Sequence, residues 1–304
     1  MRRALVTGST SFPGLALVAR LLAEGIDVHA VIRPSTRTSP LEAMARRTPS
    51  VPLRLHRHDG GAASLQRIVA AARPDVTFHL AGLYLREHVA EDIDSLIASN
   101  IALGTHLLDA LQRSGFVNVV NVGSYAQFFA GAAPRPLNLY AATKEAFATI
   151  LAHYADTGLA TTTVILFDTY GPGDRRHKLV PALVSALAAG TPLPLPREEV
   201  TIDLTYRDDV ASALLTAGRG LLREPAAWRD RRFAASGFRH TVREVVATFE
   251  AVAGREIRKQ WGGWKIPARH IAVPWNGPRL PGWTPDVLLA EGLRRTLAED
   301  SHAD

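Results

Sequence analysis

Tyr140 and Lys144 stand four residues apart in the helical run Leu139-Tyr140-Ala141-Ala142-Thr143-Lys144, a spacing that puts both side chains on one face of a helix. A phenol beside an ammonium is a proton donor whose anion the neighbouring charge stabilises. An unperturbed tyrosine ionises at about 10, and moving it about three units toward neutrality requires about 4 kcal/mol of preferential stabilisation of the phenolate. Lys144 is placed to supply much of that. Ser124, in Asn121-Val122-Gly123-Ser124-Tyr125, follows an apolar run and brings a hydroxyl that could orient a carbonyl by hydrogen bonding. The three residue types suit protonation of a carbonyl oxygen while its carbon is reduced. A Tyr-x-x-x-Lys spacing by itself is usually a packed helix face, so a source of hydride has to be found elsewhere in the chain.

The segment Ala4-Leu5-Val6-Thr7-Gly8-Ser9-Thr10-Ser11-Phe12-Pro13-Gly14-Leu15 reads as a strand, a small-residue turn and the start of a helix. Such a turn lets the backbone approach a pyrophosphate, whose charge the helix N-terminus stabilises. Gly8, Thr10, Ser11, Phe12 and Gly14 are the candidate residues of that contact. Arg33 follows the second expected strand, in Val31-Ile32-Arg33-Pro34-Ser35-Thr36-Arg37, where such folds read the adenosine ribose. An acidic residue there would accept the free hydroxyl of NAD, whereas an arginine accommodates the phosphate of NADP. One charge-assisted contact contributes about 1.5–3 kcal/mol, or roughly a 10- to 150-fold preference, and Ser35 and Arg37 are placed to join it. The expected cofactor is therefore NADP(H), which carries the hydride.

The 304 residues, 47% of them hydrophobic, can bury a large core, either as one large α/β unit or as two lobes sharing a cofactor cleft. The absence of cysteine excludes disulfides, thiolate metal sites and cysteine nucleophiles. The net charge of +6 comes from arginines scattered among apolar segments without a basic stripe, so no nucleic-acid partner is expected, although a basic cleft would attract anionic ligands. No apolar run reaches the roughly 18 residues needed to cross a bilayer, and Met1 to Thr7 enter the glycine turn too soon for a signal peptide. No membrane partner and a cytoplasmic location are expected. His56 and His58 share a strand face like a metal-hydrolase pair, but no third ligand is identifiable, and no metal is expected.

Strand-like runs at 3–7, 26–32, 52–57, 76–80, 117–122 and 161–166 alternate with helical patterns at 15–24, 64–73, 93–113 and 139–154. This alternation predicts a parallel, doubly wound α/β sheet of the Rossmann type. Residues 1–170 are expected to form the dinucleotide-binding domain. Residues 171–304, with helices expected at 179–189, 208–220 and 241–253, are expected to form a smaller α/β substrate lobe that returns a strand near 202–206 to the main sheet.

These features resemble the extended short-chain dehydrogenases/reductases over nearly the whole chain. Gly8 and Gly14 match a Thr-Gly-x-x-Gly-x-x-Gly fingerprint in which Ser11 replaces the middle glycine. The resemblance implies a slightly displaced pyrophosphate and weaker dinucleotide affinity. It also implies that Asp59 holds the adenine, that Leu80, Ala81 and Gly82 pass under the cofactor, and that Ser124, Tyr140 and Lys144 are the catalytic triad. Asn100 with Leu103-Gly104-Thr105, Tyr170-Gly171-Pro172-Gly173-Asp174, Tyr206-Arg207-Asp208-Asp209 and Gly282-Trp283-Thr284-Pro285 extend the pattern to nucleotide-sugar enzymes. Asn121-x-Gly123-Ser124, 166–171 and Ile202-Asp203 look like CDP-abequose synthases and dTDP-4-keto-6-deoxyhexose reductases. Asp168 stands where most relatives carry asparagine, and Ile202 where many carry a diphosphate-binding arginine. The expected substrate contacts are then Ser124, Gln127, Asp168, Arg175, Arg176 and Lys178. The implied partner is a dTDP- or CDP-linked sugar, and a homodimer through 93–113 and 139–154 follows from the resemblance alone. Tyr125-Ala126 after Ser124 lacks the acid pair of the dehydratases. Net reduction of a 4-keto sugar is favoured over an NAD-retaining epimerase and over a non-catalytic dinucleotide-binding regulator.

Overall fold

The computed structural model describes residues 1–300. The first half alternates as the pattern predicts, through β1 (Arg3–Thr7), α1 (Phe12–Ala23), β2 (Asp27–Ile32), α2 (Ser39–Arg47), β3 (Leu53–Arg57), α3 (Ala62–Ala72) and β4 (Val76–His79). It continues through α4 (Ile93–Ile97), α5 (Leu103–Arg113), β5 (Asn118–Ser124), α6 (Leu139–Asp156) and β6 (Ala160–Leu166). The second half holds β7 (Asp168–Tyr170), α7 (Leu179–Ala189), β8 (Leu193–Leu195), β9 (Thr201–Tyr206), α8 (Arg207–Arg223), α9 (Pro225–Trp228) and β10 (Arg231–Ala235). It ends with β11 (Phe238–Thr241), α10 (Val242–Ala253), β12 (Lys259–Trp261) and α11 (Leu289–Asp300).

Seven strands form a parallel sheet in the order β10-β6-β5-β4-β1-β2-β3, a doubly wound α/β sheet of the Rossmann type. Its central strands are buried on both faces because helices cover both, while the edge strand β3 is only partly buried. On one side Leu17 and Leu21 of α1 pack with Leu214 of α8, and on the other Leu65, Leu107 and Phe147 bring in α3, α5 and α6. The chain order reverses between β1 and β4, so a crevice opens at their carboxyl ends, where such folds bind ligands. None of the described helices is long and apolar enough to cross a membrane.

Two expectations are corrected, and one helix was missed. The strand near 202–206 exists as β9, but it pairs antiparallel with β11 and parallel with β7 in a separate three-stranded sheet. The strand that returns to the main sheet is β10, parallel to β6 with Phe233 opposite Val164. A parallel neighbour needs a long crossover, and α8, packed on α1, provides it only after β9 has passed. The single helix expected over 93–113 is interrupted by a π-helical turn, Ala98–Ala102, whose extra residue per turn buries Asn100. Helix α2 went unpredicted because only Leu41 of its nine residues is buried, leaving little apolar periodicity to read.

The second lobe has its own core, in which Tyr170, Tyr206, Leu183, Leu204, Phe249 and Leu293 meet. Asp209 accepts the backbone N–H groups of Asp286 and Val287 at 3.2 and 3.0 Å, and Trp283 donates to Ser212 at 2.8 Å. The distal motifs around 206–211 and 282–285 thus strap the C-terminal segment to α8.

Candidate active site

Backbone contact builds the floor of the crevice. Gly8 has φ +68°, and a Cβ there would lie 2.6 Å from the Ala81 nitrogen and 2.7 Å from the Leu80 carbonyl carbon. At Gly14 a Cβ would meet the Gly8 oxygen at 2.1 Å. Glycine is therefore required at both positions for the turn to close on the loop after β4. Ser11, by contrast, is extended at φ −69° and caps α1, its hydroxyl accepting the Gly14 N–H at 3.2 Å. The serine fits without strain, so it gives no reason for a displaced pyrophosphate. Its cost is a donor, because Gly14 is already engaged and Pro13 has none, which leaves the Phe12 N–H, without a partner among the described residues, as the donor of the first turn for an anion.

Ser124 ends β5, and its N–H donates to Gln127 Oε1 at 2.8 Å while its hydroxyl accepts from Ala126 at 3.3 Å. Tyr140 and Lys144 both stand on α6, and the Ser124 side chain is near enough to the Tyr140 phenol to pull its proton affinity down. Burial pushes this phenol up to about 12, against the pull of the Lys178 ammonium and the Ser124 side chain. The expected acidification by Lys144 is thus not a property of these residues on their own, since desolvation of the phenolate outweighs the charges nearby. Lys144 is buried with no carboxylate pairing it among the described residues, and its ammonium donates to the Val122 carbonyl at 3.2 Å. Burial lowers it to about 8. A Cβ on Gly82 would stand 3.2 Å from that ammonium, so the loop after β4 passes directly beside Lys144. Asn100 fixes this loop, accepting from Leu83 N at 2.6 Å and donating to Leu83 O and to Thr143 of α6.

The second lobe supplies a wall. Asp168 accepts from Lys178 at 2.6 Å and from the Tyr125 hydroxyl at 3.1 Å. Burial alone would raise the Asp168 carboxyl, but the ammonium beside it holds it below the usual range; Lys178, opposed by the same burial, is raised by Asp168. The Lys178 ammonium also lies 5.2 Å from the Tyr84 ring, which meets the Tyr140 ring edge-on at 5.0 Å. Arg176 binds Asp174 and Thr169, and Arg175 is exposed. The three cations expected to act together thus have different partners, although the Arg176 charge still reaches Lys178, Asp168 and Tyr140.

Gln127 is corrected as a substrate contact. It is 1% exposed, with one end of its amide on Ser124 N and the other donating to Glu145 at 2.6 Å. Glu145 is gripped in turn by a bidentate Arg232 at 2.9 Å, so Gln127 braces the serine from behind. Glu145, Arg232 and Tyr84 escaped the sequence reading because their contacts join distant segments. Arg57 escaped too, although parallel pairing sets it opposite Ile32, and its guanidinium reaches the Pro34 carbonyl at 2.7 Å.

After β2, Arg33 and Ser35 are exposed, Arg37 bonds Ser39 at 3.0 Å and Arg57 reaches the same loop from β3, so three arginines lie in or against one loop. Asp59 is exposed and accepts the Gly61 N–H at 2.9 Å, a bond that holds its carboxyl below the usual range, with Arg67 at 3.6 Å. His56 pairs with His29, ring nitrogens 2.8 Å apart and rings stacked at 5.0 Å.

The residues fit a nicotinamide dinucleotide. A glycine turn presents an unpaired helix N–H, and beyond it a buried ammonium without a carboxylate lies near a serine and a tyrosine. Residues 4–224 match the model of the NAD dependent epimerase/dehydratase family. The UDP-glucose 4-epimerase of Mycolicibacterium smegmatis is 26% identical, the alignment covering 97% of each chain. The CDP-abequose synthase of Yersinia pseudotuberculosis is 28% identical over 47% of this chain and 50% of its own length, so the match spans half of that relative. Among solved structures, a UDP-glucose-4-epimerase from Stenotrophomonas maltophila with bound NAD and formylated UDP-arabinopyranose superposes with TM-score 0.87 at 22% identity, covering 100% of this chain and 99% of that one. The Thermus thermophilus UDP-glucose 4-epimerase complex with NAD gives 0.80 at 24%, covering 99% and 100%. At these identities the two structures speak for the fold. The family match spans most of the chain and includes the glycine turn, Ser124, Tyr140 and Lys144: the protein belongs to the NAD dependent epimerase/dehydratase family, within the extended short-chain dehydrogenases/reductases.

Proposed function

We propose that the protein reduces, with NADPH, the 4-keto group of a nucleotide-activated 4-keto-6-deoxyhexose, a dTDP- or CDP-linked sugar. Residues 1–170 with β10 serve as the dinucleotide half and the rest as the substrate half, and a homodimer through α5 and α6 belongs to the same proposal. The glycine turn and the 80–82 loop would hold the dinucleotide, whose reduced nicotinamide would supply the hydride. The carbonyl oxygen accepts hydrogen bonds from Ser124 and Tyr140, and Tyr140 gives it the proton as the carbon is reduced. A phenol raised to about 12 is protonated at neutral pH, the form a reductase needs. Lys144, one turn along α6 and beside Gly82, would stabilise the phenolate left behind once the dinucleotide is bound.

The observation that carries the reductive direction is the set of arginines at the end of β2, where Arg33 stands in place of the acidic residue that would take a free ribose hydroxyl, with Arg37 and Arg57 beside the same loop. Tyr125 and Ala126 after Ser124 support a reductase over a dehydratase, since neither can remove a proton from carbon and expel water. The full-length likeness to a UDP-glucose 4-epimerase supports a second reading, an epimerase that keeps its dinucleotide. Incubation of the purified protein with CDP- and dTDP-4-keto-6-deoxyhexoses separates the two. Loss of the NADPH absorbance in step with substrate, faster than with NADH, is expected. Interconversion of UDP-sugars without added reductant, with no NADPH consumed by any keto sugar, would establish the epimerase instead.

A further inference from the structure

Arg176 reaches out of the second lobe, from the loop between β7 and α7, and lays its guanidinium 4.5 Å from the ring of Phe12 in the glycine turn. The side chain is rigidly held. Its Nε donates to Asp174 at 2.7 Å, and one Nη donates to Asp174 and to both oxygens of Thr169 at 2.8 Å. Asp174 is buried, so this end of the fork is fully committed. The other Nη has no partner among the described residues, and it is the end left for a ligand.

The contact sits where the turn lacks donors. A helix N-terminus ordinarily offers several free N–H groups to an anion, but Ser11 occupies that of Gly14 and Pro13 has none. The remaining N–H belongs to Phe12, the residue on which Arg176 stacks. We propose that Arg176 is a cross-lobe ligand of the bound dinucleotide, its free Nη closing on the pyrophosphate beside Phe12 and slowing the release of the cofactor. This rests on a dinucleotide occupying the glycine turn but not on which reaction follows.

The same geometry moves Arg176 from the substrate diphosphate to the cofactor. Lys178, two residues on, is bonded to Asp168 near Tyr84 and Tyr140, while Arg176 turns back onto α1. Because Asp174 neutralises much of its charge, the contribution of Arg176 is directional hydrogen bonding more than net attraction.

The experiment measures dissociation of NADPH and NADH from the full-length protein by stopped-flow nicotinamide fluorescence, with CDP and dTDP binding by calorimetry as the second readout. For Arg176→Ala, release of both dinucleotides should accelerate about 10- to 150-fold, the range of one charge-assisted hydrogen bond, with nucleoside diphosphate affinity changed less than about twofold. Phe12→Ala removes the stacking surface and should accelerate release about two- to fivefold. If Arg176→Ala does not fold, Arg176→Lys, which keeps the stem and the charge but loses the fork, is read by the same criterion. Unchanged release with weakened nucleoside diphosphate binding would return Arg176 to the substrate, and unchanged values for both would remove it from either site. Wild-type protein that binds neither dinucleotide would instead overturn the cofactor assignment, and the proposal with it. Dinucleotide binding without reduction of any keto sugar would sink the reductase while leaving Arg176 open to the same measurement.

Discussion

The floor and the wall of the crevice each present one lysine, and the two have opposite fates. Lys144, on α6, is buried without a carboxylate, and its proton affinity falls to about 8. Lys178, at the start of α7, is partly buried with a quarter of its side chain exposed, and burial opposes its charge too, but Asp168 accepts its hydrogen bond at 2.6 Å and raises its proton affinity. Burial alone therefore does not decide whether an ammonium keeps its charge. A carboxylate delivered by a neighbouring strand does. On the floor the cation is left free for a ligand, while on the wall it is already satisfied and helps to shape the pocket with Tyr84 and Tyr125.

The largest expected break in this contrast comes from the floor. Tyr140→Phe should cost about 10²- to 10⁴-fold in turnover while dinucleotide affinity stays close to wild type, because the ring remains and only the transferable proton is lost. Retained turnover would put the proton donor elsewhere, with Tyr84 the nearest phenol.

Next in size is the pH profile, which separates the two lysines directly. A group lowered to about 8 holds its charge below that value and loses it above, so reductive turnover should decline as pH rises through about 8. Lys144→Arg, whose guanidinium stays protonated, should remove that limb even if the maximal rate falls. Lys178→Met should leave the limb in place and act mainly on KM. A limb that survives Lys144→Arg and disappears in Lys178→Met would reverse the comparison.

The smallest expected effect lies at the turn. Ser11→Gly removes the cap and frees the Gly14 N–H, at a cost of a few tenths of a kcal/mol in stability. Calorimetry should show dinucleotide affinity rising by up to about tenfold, the worth of one hydrogen bond. Weaker binding in this variant would mean that the serine hydroxyl itself is a ligand.

How much of this could be read beforehand follows from what each residue depends on. The glycine turn and the Tyr140–Lys144 pair each lie within one stretch of chain, so spacing was enough to read each of them, whereas joining Ser124 to them rested on the family resemblance. Gln127 was misassigned because a buried amide bracing a strand end is indistinguishable, in a string of letters, from one facing a ligand. Arg57 needed the order of the strands, since only the parallel register of β2 with β3 sets it beside the Arg33 loop. The returning strand was assigned to 202–206 because apolar alternation says that a segment is a strand but not which sheet it joins.

Local periodicity and turn chemistry by themselves determined the doubly wound sheet, the dinucleotide turn and the helix that carries the phenol and its ammonium, because each depends on residues within a few positions of one another. The partners of Asp168, Lys178 and Arg176, the bracing of Ser124 by Arg232 through Glu145, and the sign of every buried pKa shift were decided by the tertiary structure alone. Those depend on which side chains from distant segments displace water around a charge, and that is settled only when the two lobes close on each other.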